Sequence, residues 1–115
     1  MKMKRTLAIA SSFTVCALMI TGAMNSKAAG KAGDAAKGKD TFEQCAVCHN
    51  VDSPEKKMGP SLQGLFKKKT LQSGKPVNDA NVMGQINAGG NGMPAYQDML
   101  SADEKANLLA YLHTI

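Results

Sequence analysis

Two thiols and an imidazole stand together in the stretch Cys45-Ala46-Val47-Cys48-His49. In a helical turn, Cys45, Cys48 and His49 occupy positions i, i+3 and i+4 and project from one face. At that spacing two sulfurs can add to the two vinyl groups on one haem edge while the imidazole reaches the iron. Arbitrary spacings would satisfy neither. Three other chemistries use some of these residues. A redox dithiol needs Cys-x-x-Cys with a depressed thiol pKa, but it has no use for His49, and no βαβ pattern surrounds the motif. A zinc site needs four ligands, yet His113 is the only other histidine and there is no second cysteine pair. A disulfide between Cys45 and Cys48 would restrain a single turn and little else.

Two loops carry groups suited to the same chemistry. Gly89-Gly90-Asn91-Gly92-Met93-Pro94 places three glycines within four residues, which lets the backbone turn sharply and approach a large flat ligand. Met93 emerges from this loop rather than from a helical stripe, so a core-filling role is less natural for it. A thioether opposite His49 would complete six-coordinate iron and raise the reduction potential. Met58, Met83 and Met99 compete for that place. Met83 falls on an apolar helical face, where core packing is the default. Met58 follows His49 closely, and Met99 sits at the edge of the next helix. The second loop is Gly59-Pro60-Ser61-Leu62-Gln63-Gly64-Leu65-Phe66. A metal-binding imidazole needs an acceptor for its other ring N–H, although Gly-Pro also reads simply as a turn. Leu62, Leu65 and Phe66 are expected to line the pocket or the core beneath it.

Taken with Gly38 and Phe42 ahead of the cysteines and Leu108-Leu109-Ala110-Tyr111-Leu112 near the end, these motifs make the chain from about Gly33 to Ile115 resemble the small single-haem class I cytochromes c. The resemblance implies an all-α fold, with N- and C-terminal helices crossing and three to five helices wrapped around one haem c bound through Cys45 and Cys48. It implies His49 and Met93 as iron ligands, the Pro60 carbonyl as acceptor for His49, and Leu62 and Phe66 as pocket walls. It also implies an electron carrier rather than an enzyme, exchanging electrons with redox protein partners. Two departures stand out. Phe42 lies only three residues ahead of Cys45, and a lysine cluster follows Phe66 where relatives commonly have glycine.

The positioning elements are legible in outline. Asp34 reads as the N-cap of a helix over Ala35–Cys45. Gly38 inside it costs roughly 1 kcal/mol against Ala, and it shares a face with Phe42. That pair points to a second helix crossing close by; a tolerated surface glycine is the alternative. Asn78 or Asp79 can cap a helix over Ala80–Ala88, with Val82, Met83 and Ile86 on its apolar face and Gly89 ending it. Ser101-Ala102-Asp103-Glu104 is a capping box. The helix it opens brings Leu108, Tyr111 and Leu112 to one face, expected to meet Gly38 and Phe42, and leaves His113 at the surface. Residues 50–58 and 70–77 read as loops. Lys67-Lys68-Lys69 is either a solvated corner or part of a positive patch for an acidic redox partner.

At 115 residues the chain is one domain. Lys2, Lys4 and Arg5 precede an apolar run from Leu7 to Ile20, and Ser26-Lys27-Ala28 ends in a signal-peptidase-like pattern. Residues 1–28 are therefore expected to be a secretory signal cleaved near Ala28, leaving a cytochrome domain at 29–115 in the periplasm or outside the cell. A retained membrane anchor is the alternative. Cys16 lies within the signal. Of the fourteen cations, Lys2, Lys4, Arg5 and Lys27 would leave with it, so ten would face nine carboxylates. That near balance gives nucleic-acid binding no support. So small a chain, without Trp, buries little surface relative to its length, and a haem would supply much of the missing core. Thioether formation would also dispose of both remaining thiols in an oxidising compartment. No nucleophile–base pair or phosphate-cradling loop is present, which favours an electron carrier over an enzyme; a monomer, soluble after signal cleavage and docking transiently at membrane complexes, is expected. An open-site haem enzyme or ligand binder, and a haem subunit of a larger redox complex, are the competing readings.

Overall fold

The computed structural model describes residues 32–115; the expected secretory segment 1–28 lies outside them. Three α-helices form: α1 at Ala35–Ala46, α2 at Asp79–Ala88 and α3 at Ala102–Leu112. A short 3-10 turn at Leu65–Lys67 follows Gly64, whose φ of 63° is left-handed. Among the described residues there is no strand, only isolated bridges pairing Thr70 with Pro76 and Gly90 with Met93. The class is all-α, as expected.

Each helix begins where its capping residue satisfies free amides. Asp34 accepts from Ala36 N at 2.9 Å and Lys37 N at 3.3 Å. Asn78 caps α2 through Asn81 N, so Asp79 falls inside the first turn, where a carboxylate complements the helix dipole. Ser101 and Glu104 complete the capping box of α3. That helix ends at Leu112, short of the chain terminus, while α1 runs one residue past Cys45.

Helices α1 and α3 pack directly against each other. Gly38 is buried at their crossing, where an added Cβ would strike the Asn107 carbonyl and come within 2.8 Å of Tyr111 Cβ. The tolerated-glycine reading is thereby excluded. Phe42 and Tyr111 stack obliquely, with ring centroids 5.3 Å apart, and Asp34 N donates to Asn107 Oδ1 at 2.8 Å. No helix among the described residues is long and apolar enough to cross a membrane. The buried core also includes Tyr96 and Leu100, in the irregular segment before α3; Tyr96 N reaches back to Ile86 O at 3.0 Å.

Candidate haem site

The end of α1 presents the motif as its spacing requires. Cys45 O accepts from Cys48 N at 3.1 Å and from His49 N at 3.0 Å, so the helical turn continues through His49. Both thiols are free and half-buried. Burial, and then the neighbouring Cys48, push the Cys45 thiol above its ordinary value, the opposite of what a reactive dithiol needs. Among the described residues, no group of three or more His, Cys, Asp or Glu is placed to hold a metal ion, which leaves the zinc reading without support.

The His49 ring is held on two sides. Its Nδ1 lies 2.7 Å from the Pro60 carbonyl oxygen. A carbonyl only accepts, so Nδ1 carries the proton and Nε2 keeps a lone pair for a metal. Gly59 packs tightly against the ring: a Cβ there would come within 2.8 Å of Nδ1 and 3.0 Å of Nε2. The strap around Pro60 is anchored by Gly59 N to Cys48 O at 2.9 Å and Leu62 N to Asn50 O at 2.8 Å.

Cys45, Cys48, His49, Pro60, Leu62 and Met93 all line one cleft of about 300 Å³. Its remaining walls include Phe42, Leu65, Val82, Ile86, Leu108 and Leu112. Met93 is held there by a tight turn, with Gly90 N to Met93 O at 2.9 Å and Met93 N to Gly90 O at 3.0 Å. Asn91 and Gly92 turn the chain at φ 53° and 89°. Met83 and Met99 lie outside the cleft lining. Met58 borders it but is 82% exposed and adjoins Gly59, on the imidazole's side. Two alkylatable thiols, an imidazole with a free Nε2, a thioether and apolar walls form a donor set that fits a covalently held haem.

Of the two places expected for Phe66, the pocket wall or the core beneath it, the structure shows the second. Phe66 does not line the cleft; it packs against the core and stacks on His113 with ring centroids 3.6 Å apart. The left-handed Gly64 turns the 3-10 segment so that Leu65 takes the inward place and Phe66 faces α3. His113 is exposed, as expected, but its Nε2 is also 2.7 Å from Asp79 Oδ1. Tyr96, Gln85 and Leu71 line the cleft without having been marked by the sequence, since none belongs to a short motif. Of the lysine run, Lys68 is committed to the Ser61 carbonyl at 2.8 Å.

Comparison with known proteins agrees with this geometry. Residues 33–112 match the family model described as Cytochrome C oxidase, cbb3-type, subunit III. Cytochrome c6 of Diacronema lutheri is 33% identical over 81 residues, covering 70% of this chain and 94% of that protein. Cytochrome c2 of Blastochloris viridis is 53% identical over 36 residues, 30% of this chain and 28% of that one. The crystal structure of cytochrome c6 from the diatom Phaeodactylum tricornutum superposes with a TM-score of 0.56 at 28% identity, covering 71% of this chain and 93% of that one. An all-α fold with a Cys-x-x-Cys-His turn beside an apolar cleft defines a small c-type haem protein. The chain belongs to the cytochrome c family, whose cofactor is haem c with its iron, covalently attached.

Proposed function

We propose that the protein is a periplasmic or secreted one-electron carrier, residues 1–28 being removed near Ala28 and residues 29–115 forming the cytochrome domain. Cys45 and Cys48 would hold the haem through two thioethers, His49 Nε2 and Met93 Sδ would bind its iron, and Leu62 would be a wall of the pocket. The iron supplies a reversible one-electron couple. The Pro60 carbonyl orients His49 and raises its basicity, while the glycine turn around Gly90 and Gly92 presents Met93. The observation that carries this reading is the convergence of His49 and Met93, from elements far apart in sequence, on one cleft. With His49 and Met93 both committed to the iron, the chain would leave no place there for a substrate, and it would work with redox partners rather than as an enzyme.

The test is optical and electrochemical. The purified holoprotein is expected to show the thioether-to-iron charge-transfer band when oxidised and no rapid carbon monoxide binding when reduced. In Met93→Ala the band should vanish, the potential should fall, and carbon monoxide should bind. Rapid binding by the native reduced protein would instead establish the open-site reading. The family description naming an oxidase subunit favours a second reading, the same carrier domain docked permanently in a larger complex. Size-exclusion of the native protein separates the two: a complex would elute far ahead of a 12.1 kDa chain.

A further inference from the structure

We propose that Ser61 is a positioning residue for the iron ligand: its hydroxyl and its carbonyl hold the peptide plane whose oxygen accepts from His49. The inference rests on the reading of His49 as an axial ligand. Pro60 C=O and Ser61 N–H belong to one rigid planar unit that ends at the Ser61 Cα, so bonds that fix Ser61 fix one end of that plane. Ser61 is 9% exposed, the buried polar residue of the described core. Its Oγ donates to Ser53 O at 2.5 Å and accepts from Gln63 N at 3.2 Å. Its carbonyl accepts from Lys68 Nζ at 2.8 Å. A hydroxyl this buried remains only where it is bonded. The backbone bonds flanking the plane, from Gly59 N and Leu62 N, form whatever side chains are present. Ser61 and Lys68 are what this sequence adds to them.

The consequence reaches the metal through His49. A firm Nδ1–H to carbonyl bond gives the ring imidazolate character, strengthens its donation through Nε2 and favours the oxidised iron. Releasing the grip weakens that bond. The potential should then rise, and the Nδ1 proton should exchange faster with solvent, by about fivefold to tenfold for the loss of one such hydrogen bond.

The experiment is NMR of holoprotein carrying nitrogen-15 histidine, paired with redox titration, for the native chain, Ser61→Ala, Ser61→Thr and Lys68→Met. His49 ring signals displaced by the iron in the native protein establish the ligand; their absence would refute the axial reading itself, independently of any variant. With the ligand established, faster Nδ1–H exchange in Ser61→Ala and Lys68→Met, a raised potential in Ser61→Ala, and a return toward native values in Ser61→Thr are expected. Native exchange and potential in Ser61→Ala would overturn the proposal, as would Ser61→Thr behaving like Ser61→Ala. Should Ser61→Ala fail to retain haem, the exposed Lys68→Met decides alone, and an unchanged exchange rate in it counts against the role of Ser61.

Discussion

A single missing Cβ decides whether His49 can stand where it does. Gly59 lies against the imidazole so closely that a methyl group would overlap Cε1. Gly59→Ala must push either the ring or the strap aside, and overpacking of this kind costs about 1–3 kcal/mol. The expected outcome is a lower denaturation midpoint together with a changed absorption spectrum, because the displaced ring is also the ligand. Tyr96 offers a residue-scale test of a different kind. Burial first, then the nearby Cys45 and Cys48, raise its phenol above the ordinary tyrosine value of 10.0; once the sulfurs are thioethers only the burial contribution remains. A raised folded pKa means the native state holds its proton longer than the unfolded chain does. Stability from this source is therefore full below about 10 and is lost as pH rises through the folded pKa. Tyr96→Phe should remove that alkaline loss, and unfolding curves on either side of pH 10 would reveal it. The motif residues were legible because bonding to a ring and a metal demands a local spacing. Tyr96 was not, because its place in the cleft follows from how a loop folds back on Ile86, which no short pattern records.

At the scale of elements, opposing effects meet at Gly38. Helix propensity alone favours Gly38→Ala by about 1 kcal/mol. The crossing opposes it, since the new Cβ would meet the Asn107 backbone carbonyl, which cannot rotate away as a side chain would. The clash should win, giving a net loss of about 2 kcal/mol, measurable as a lower denaturant midpoint with little change in slope. A gain would mean that α1 and α3 stand farther apart than they do here. The helices themselves were readable from their caps: Asp34, Asn78 or Asp79, and Ser101 with Glu104 all mark the starts. What the sequence could not resolve was direction within the irregular segments. Leu65 and Phe66 are both apolar and adjacent, and only the left-handed Gly64 and the approach of His113 decide that one faces the cleft and the other does not. The same holds for Lys68, a cation by composition and a strut for the Ser61 carbonyl by position.

On the scale of the whole molecule, the core and the cleft are nearly one object. Every buried apolar side chain among the described residues except Leu100 also lines the cleft. Helices α1 and α3 meet each other extensively, whereas α2 touches α3 only sparsely, as where Asp79 meets His113, and its Val82 and Ile86 line the cleft with the loop carrying Met93. Removing what fills that space should therefore act unevenly. In a Cys45→Ser, Cys48→Ser, His49→Ala variant the apolar walls lose their partner, and a chain this short has little other surface to bury. Regions with few remaining apolar contacts open at low free energy. The α1–α3 pair should keep residual order through Gly38, Phe42 and Tyr111, while α2 and the strap around Pro60 should lose theirs. Hydrogen exchange would report this as measurable protection surviving in residues 38–46 and 106–112, with protection near the unfolded limit in 79–88. Equal protection across all three helices would show that the described core holds together without the cofactor, and that the cleft is an accessory to the fold rather than its centre.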